Sequence, residues 1–170
     1  GSVLTATARR TPSREAVVCG GHRLNFAELD ARSSRLANAL IGLGVRMGDR
    51  VALHMDNSIA VVEVMAAILK TGAIVTPVST RLAPPEIRYM LEDTEPVAII
   101  FSPEARDTLR DAASTLREVR FIVAADRSTG ESGLEELIAA ASDRPPELPY
   151  FEPDDAFLNY TSGTTGRPKG

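Results

Sequence analysis

Short apolar segments alternate along the chain with longer segments whose apolar residues recur every three or four positions. The short segments are rich in Val, Ile and Phe, which is typical of buried strands. We predict strands at 50–54, 73–76, 97–101, 120–124 and 156–160. We predict helices at 3–10, 59–71, 84–93, 104–118 and 134–141. This alternation indicates an α/β protein with a mostly parallel sheet and helices on both faces.

The N-terminal region adds a hairpin and a well-marked helix start. Residues 16–19 and 22–25 flank a Gly-Gly pair, which predicts an N-terminal β-hairpin because both turn positions can take a positive φ. Asn25 can cap the helix that follows, and Glu28 stands where a capping-box carboxylate reaches back. Glycines at 42 and 44 are expected to end that helix.

Composition and charge exclude several classes of protein. The chain has 170 residues, of which 44% are hydrophobic and 25% charged, as in an ordinary globular domain. A net charge of −4 provides no cationic excess for nucleic acid, so we expect no such partner. One cysteine, Cys19, excludes internal disulfides and cysteine-based zinc sites, and no residue cluster predicts a metal site.

The most apolar stretch, 59–78, is interrupted by Glu63 and Lys70, so we predict no membrane span. No secretion signal is recognised, and a cytoplasmic location is expected. We interpret Gly1 and Ser2 as a remnant of cloning. His54, at the end of a predicted strand, is interpreted as a structural histidine in preference to a site residue.

The last eleven residues carry the chemistry: Tyr160-Thr161-Ser162-Gly163-Thr164-Thr165-Gly166-Arg167-Pro168-Lys169-Gly170. Gly163 and Gly166 let the backbone curl so that successive N–H groups face one concavity. Hydroxyl groups that can donate to phosphate oxygens stand at Thr161, Ser162, Thr164 and Thr165. Lys169 adds a mobile positive charge. These features predict a phosphate-binding loop after the last strand, at the edge where α/β sheets bind ligands.

This segment has two other interpretations. It is not a Walker loop, because Pro168 separates Arg167 from Lys169 where that motif ends in Gly-Lys-Ser/Thr and opens a helix. A flexible tail rich in Ser, Thr and Gly has a similar composition. The residue types alone therefore leave a phosphate loop and a flexible tail as alternatives.

The eleven-residue segment resembles the signature phosphate loop of the adenylate-forming (AMP-binding) superfamily. That family includes acyl-CoA synthetases, aryl-CoA ligases, luciferases of the firefly type and adenylation domains of peptide synthetases. Further similarity lies in Phe26-Ala27-Glu28-Leu29, in the segment Gly44-Val45-Arg46-Met47-Gly48-Asp49-Arg50-Val51-Ala52, and in 77–94, which resembles the acyl-CoA synthetase branch. Asp56 and Ser79 depart from the Pro and Asn that are frequent in the family.

The resemblance implies an ATP-dependent acid–thiol ligase that activates a carboxylic acid, fatty or other acyl, as its acyl-AMP. ATP, Mg²⁺ and coenzyme A are the implied cofactors and co-substrates. The residues implied to hold the β- and γ-phosphates are Thr161, Ser162, Gly163, Thr164, Thr165, Gly166 and Lys169. Lys169 is also the implied catalytic residue, since its charge would stabilise the departing pyrophosphate.

The resemblance also implies that residues 3–170 are the first subdomain of a large N-terminal AMP-binding domain, truncated just after the loop at 161–170. We expect this piece alone to be inactive, and to self-associate through an exposed sheet edge or apolar surface. One alternative is a stand-alone, non-catalytic nucleotide-binding or interaction module of the same ancestry. A dinucleotide-binding oxidoreductase is less favoured, because no Gly-x-Gly-x-x-Gly joins a strand to a helix.

Overall fold

The computed structural model describes residues 2–117, 119–123, 132–147 and 156–160. Within these ranges the helices are α1 (Ser2–Arg10), α2 (Phe26–Gly42), α3 (Ile59–Thr71), α4 (Pro84–Thr94), α5 (Arg106–Ala112) and α6 (Leu134–Ala140). The strands are β1 (Glu15–Cys19), β2 (His22–Asn25), β3 (Arg50–His54), β4 (Ile74–Pro77), β5 (Ala98–Phe101), β6 (Arg120–Val123) and β7 (Ser132–Gly133). No helix among the described residues is long and apolar enough to cross a membrane.

The main sheet is parallel, with the strand order β4-β3-β5-β6-β7. In its register, Ala52 of β3 lies between Thr76 of β4 and Ile99 of β5. The separate β1–β2 hairpin is antiparallel and turns through Gly20 at a φ of 59°. The predicted α/β fold, with its parallel sheet and N-terminal hairpin, is confirmed.

The two faces of the sheet carry two separate cores, because successive side chains of a strand point to opposite sides. One face packs against α2, α3 and α6, and its strand residues include Val51, Leu53, Ile100 and Ile122. The other face packs against α4 and α5, and its strand residues include Ala52, Ile99 and Phe101. The helices therefore cover both faces, as the sequence predicts.

The start of α2 forms the predicted capping box. The Asn25 side chain accepts from the Glu28 N–H at 2.8 Å, and the Glu28 carboxylate accepts from the Asn25 N–H at 2.8 Å. Each bond satisfies an amide that has no partner within the helix. The signal is local in the sequence, which is why it could be recognised there.

Two charged residues interrupt the apolar sequence of α3. Both are buried and form ion pairs with α2. Lys70 of α3 donates to the Asp30 carbonyl oxygen at 2.9 Å, to the Asp30 carboxylate at 2.5 Å and to the Ser34 hydroxyl at 2.7 Å. Glu63, also buried, pairs with Arg32 of α2. These contacts satisfy buried charges that would otherwise destabilise the α2–α3 interface.

The helix predicted at 104–118 is shorter in the structure. A 3₁₀ turn at Pro103–Ala105 leads into α5, which ends at Ala112. Beyond it, the Leu116 N–H donates to the Ala113 carbonyl three residues earlier at 3.0 Å, so the spacing is that of a turn. The Thr115 hydroxyl donates to Glu92 at 3.0 Å, and this contact outside the helix accompanies its early end.

Two strands differ from the prediction. The two-residue β7 was not predicted, because Ser132 and Gly133 give no strand pattern of their own. The predicted strand 156–160 is reduced to a single bridge between Val75 and Phe157. That bridge nevertheless has the parallel direction that the α/β pattern implies.

Candidate functional site

The predicted phosphate-binding residues fall outside the part of the chain that the structure describes. They are Thr161, Ser162, Gly163, Thr164, Thr165, Gly166 and Lys169. The structure does describe the segment that leads to them, 156–160, and the edge of the sheet that this segment reaches.

Segment 156–160 lies along the free side of β4. The Val75 N–H donates to the Ala156 carbonyl at 3.0 Å, and the Leu158 N–H donates to the Val75 carbonyl at 2.9 Å. Phe157 is thereby paired with Val75 in parallel, so the segment runs in the same direction as β4. The pairing is directed toward the carboxyl edge of the sheet, and Tyr160, three residues further on, contacts the C-terminal part of α4.

Tyr160 is anchored immediately before the predicted loop. Its ring packs against the core formed by α4, α5 and the sheet, and its hydroxyl donates to the Asp93 carboxylate of α4. Burial, first, and the bond to Asp93, second, raise the pKa of Tyr160 well above its usual value. The phenol is neutral at physiological pH and acts as a tether between the segment and α4.

The same carboxyl edge contains a topological switch point. From β3 the chain crosses by α3 on one face to β4, and from β4 it crosses by α4 on the other face to β5. β4 and β5 therefore flank β3 on opposite sides, and the connections leave a crevice at the carboxyl ends of β3 and β5. Crevices of this kind are where open α/β sheets bind ligands.

Polar side chains and backbone groups connect the loops around this crevice. The Ser102 N–H, just after β5, donates to the His54 carbonyl at 3.1 Å. The Asp56 N–H donates to the Ser102 hydroxyl at 3.4 Å, and the Thr80 hydroxyl donates to the Asp56 carboxylate at 2.9 Å. The loops after β3, β4 and β5 are thus held together by hydrogen bonds.

His54 ends β3 and is 4% exposed. Its Nδ1 lies 3.1 Å from the Val78 carbonyl oxygen, which can only accept, so Nδ1 carries the proton and donates. Burial is the main effect on the imidazole and lowers its pKa below the usual 6.5, against smaller opposing effects of the Val78 bond and of Asp56. A neutral ring with a protonated Nδ1 presents Nε2 as an acceptor.

A cavity of about 370 Å³ lies at this switch point. Its polar lining consists of His54, Asp56, Thr80, Ser102, Glu104 and Thr108. Leu82, Ile87 and Ala105 supply much of the apolar part of the wall. We call it the switch-point cavity. None of the described residues that line it is a lysine or an arginine.

A second cavity, of about 520 Å³, lies at the opposite edge of the sheet. Gly44, Val97 and Arg120, which line it, precede or begin the strands β3, β5 and β6. Although it is larger, this cavity is at the amino edge, opposite the carboxyl ends of the strands. Across the described ranges, no group of three or more His, Cys, Asp or Glu side chains could hold a metal ion.

The phosphate loop that the sequence predicts after the last strand lies outside the described residues and stays a prediction. For the switch-point cavity, sequence reasoning named His54, although as a structural residue. It did not identify Asp56, Thr80, Ser102 or Glu104 as neighbours. The available signal was that each follows the end of a predicted strand, since the carboxyl ends of parallel strands share one edge.

Comparison with known proteins identifies relatives over almost the whole chain. The family model described as AMP-binding enzyme matches residues 4–170. A feruloyl-CoA synthase from an Amycolatopsis species is 40% identical over 100% of this chain. A medium/long-chain-fatty-acid–CoA/3-oxocholest-4-en-26-oate–CoA ligase from Mycobacterium marinum is 33% identical over 94% of it.

The fold is also similar to that of a solved coenzyme A ligase. The crystal structure of the anthranilate CoA ligase AuaEII in complex with anthranoyl-AMP superimposes with a TM-score of 0.91. The two sequences are 27% identical, and the match covers 98% of this chain and 33% of the ligase. The chain spans 32% of the feruloyl-CoA synthase and 31% of the mycobacterial ligase, so it corresponds to about a third of the relatives it matches.

Proposed function

The chain belongs to the family of AMP-binding enzymes, and from that membership we propose that it is part of an ATP-dependent acid–thiol ligase. The relatives named above are coenzyme A synthases and ligases, and one related structure holds an acyl-adenylate. The proposed protein would activate a carboxylic acid as its acyl-AMP and transfer the acyl group to coenzyme A. The proposal includes a cytoplasmic location.

The reaction proceeds in two displacements. A carboxylate oxygen of the acid attacks the α-phosphorus of ATP, and the bond from that phosphorus to the pyrophosphate oxygen breaks. The thiol sulfur of coenzyme A then attacks the acyl carbon, the thiol loses its proton, and AMP departs with the electrons of its bond to the acyl group. Activation is needed because AMP is a far better leaving group than the oxygen of a free carboxylate.

The observation that carries the proposal is the parallel pairing of Phe157 with Val75. It directs the chain toward the carboxyl edge of the sheet, where α/β sheets bind ligands, shortly before the proposed phosphate loop. Within the proposal, hydroxyls and backbone amides of 161–166 bind the β- and γ-phosphates, each charged hydrogen bond contributing about 1.5–3 kcal/mol. Lys169 stabilises the charge that develops on pyrophosphate.

Mg²⁺ would reach the site with ATP and neutralise part of the phosphate charge. The described residues offer no cluster of metal ligands, so we assign no Mg²⁺ ligand to them. We also assign none of the described residues to the pocket for the carboxylic acid. The relatives include a synthase named for an aromatic acid and ligases named for fatty acids, so both classes of acid are candidates.

We further propose that residues 3–170 form the opening subdomain of the larger AMP-binding domain. The support is the difference in length. Each match includes nearly all of this chain but only about a third of the relative. On this proposal the 170 residues alone do not catalyse exchange between ATP and pyrophosphate. The complete polypeptide is therefore the proper material for activity measurements.

The test is a set of substitutions in the complete polypeptide, assayed by acid-dependent ATP–pyrophosphate exchange. Lys169→Ala should lower the exchange rate by about a hundredfold, because it removes the cation that stabilises pyrophosphate. Arg167→Ala, which removes a neighbouring cation without a proposed role, is the matched control and should retain most of the rate. Equal rates for the Lys169→Ala variant and the wild type would refute the proposed loop function.

A further inference from the structure

The switch-point cavity is chemically different from a site for ATP or for a carboxylic acid. Asp56 and Glu104 both line it, and neither forms an ion pair with any residue in the described ranges. With no Lys or Arg among its described lining residues, the cavity carries net negative charge at neutral pH. An anionic ligand would be repelled by both carboxylates.

His54 gives a second, independent indication of the ligand. The residue is nearly fully buried, and its Nδ1–H donates a hydrogen bond to the Val78 carbonyl. Nε2 has no hydrogen-bond partner among the described residues, and the side chain lines the cavity. Nε2 is thus open to the cavity as an acceptor, which favours a ligand that brings a donor.

Helix α4 borders the cavity with its N-terminus, but this end does not offset the negative charge of the carboxylates. The first two residues of α4 are Pro84 and Pro85, which have no N–H to offer. The preceding Ala83 N–H already donates to the Glu86 carboxylate at 2.8 Å. The positive end of α4 is therefore largely compensated, and it contributes little to the binding of an anion.

We propose that the switch-point cavity binds a small organic cation, with an ammonium group on a short apolar body. The ammonium has three N–H donors, which match the carboxylates of Asp56 and Glu104 and the Nε2 of His54. The apolar body would pack on Leu82, Ile87 and Ala105. A volume of about 370 Å³ is at the lower end of the range of small-molecule pockets.

An organic cation fits the cavity better than a metal ion does. The cavity contains an imidazole and two carboxylates, but these do not form one of the compact groups that could ligate a metal. The apolar side chains of the wall would also make no favourable contact with a metal ion. This binding site uses none of the residues of the proposed phosphate loop and does not depend on the ligase proposal.

The first experiment compares three six-carbon probes by isothermal titration calorimetry on the complete polypeptide, without ATP or coenzyme A. n-Hexylammonium should bind saturably with one site per chain, whereas hexanoate and 1-hexanol should bind at least about tenfold more weakly. Equal binding of hexanoate would overturn the proposal, because it would mean that the charge of the cavity does not select the ligand. Absence of saturable hexylammonium binding would overturn it as well.

Substitutions then locate the site. The double change Asp56→Asn with Glu104→Gln should weaken hexylammonium binding by about tenfold or more, since two charged contacts are lost. The matched control, Glu95→Gln with Glu147→Gln, makes the same change of charge at exposed positions that do not line the cavity. The control should bind like the wild type, and equal effects of the two double changes would contradict a specific site.

Two substitutions test the role of His54. Asn can replace the hydrogen bond of Nδ1, and Gln can replace the acceptor at Nε2. His54→Asn retains a donor near the position of Nδ1 but loses the Nε2 acceptor, so hexylammonium binding should weaken by at least about threefold. His54→Gln can place its amide oxygen near the position of Nε2 and should lose less affinity. Near-ultraviolet circular dichroism identifies folded variants, and a folded His54→Asn variant with undiminished affinity would refute the acceptor role.

Discussion

The Lys70 ammonium lies 2.5 Å from the Asp30 carboxylate across the interface of α3 and α2, and both side chains are largely removed from water. The Lys70 side chain is 3% exposed and the Asp30 side chain 16%. The Asp30 carboxylate also accepts from the Thr5 hydroxyl of α1 at 2.7 Å. One ion pair thus connects three helices on one face of the sheet.

Replacing Lys70 by Met should destabilise the fold by about 3 kcal/mol, because it leaves a largely buried carboxylate without its cation. Urea unfolding of the 170-residue chain measures this change. Arg23→Met, which breaks the exposed Arg23–Glu15 pair of the hairpin, is the control and should cost less than about 1 kcal/mol. A Lys70→Met variant as stable as the control would show that the buried pair contributes little.

The pH dependence of stability should report on His54. Burial holds the pKa of His54 in the folded state below 6.5, so between that pKa and 6.5 the unfolded chain binds more protons. Stability should therefore fall as the pH decreases below 6.5, with a slope of at most about 1.4 kcal/mol per pH unit from this residue. His54→Gln, which does not titrate, should reduce that slope when unfolding is followed from pH 7 to pH 5.

Should the His54→Gln and wild-type curves run parallel through the same range, His54 would titrate equally in the folded and unfolded chain. Its burial would then not control its protonation.

Tyr160→Phe tests the anchor before the proposed loop. The chain has three tyrosines, and the phenol of Tyr160 should ionise at a higher pH than a free tyrosine because of burial and of its bond to Asp93. In an ultraviolet absorbance titration of the folded chain, the step that this variant loses should lie at a higher pH than the step of a free tyrosine. Loss of a step at the pH of a free tyrosine would mean that the Tyr160 hydroxyl is solvated.

Phe157 is the site at which to test self-association. Its side chain is 43% exposed, and its segment is bridged to β4 on one side. An exposed aromatic residue beside a partly paired edge favours association, so the 170-residue chain should form oligomers as its concentration rises. Sedimentation velocity should show a shift toward monomer for Phe157→Ser, and a wild-type chain that stays monomeric at high concentration would contradict this expectation.

Local signals in the sequence predicted much of the fold. The α2 capping box depends on residues three positions apart, and the strands β3 and β5 contain short apolar runs, Val51–Leu53 and Ala98–Phe101. The Lys70–Asp30 pair joins residues 40 positions apart, and no local pattern announces it. The early end of α5 was missed because apolar spacing continues to Leu116 after the helical hydrogen bonds have stopped.

The phosphate loop was predicted from the chemistry of its residues and stays a prediction, whereas the switch-point cavity could not be predicted. Glycines, hydroxyls and a lysine in one short segment indicate phosphate binding, whatever the fold around them. The grouping of His54, Asp56, Ser102 and Glu104 depends on the order of strands in the sheet. That order is set by packing on both faces, which a single sequence does not display.

The most direct test of the central claim is ATP–pyrophosphate exchange by the complete polypeptide across a panel of aromatic and fatty carboxylic acids. We predict exchange that depends on the presence of an acid, followed by release of AMP and formation of an acyl thioester when coenzyme A is added. A polypeptide that binds ATP but supports no exchange with any acid of the panel would contradict the account.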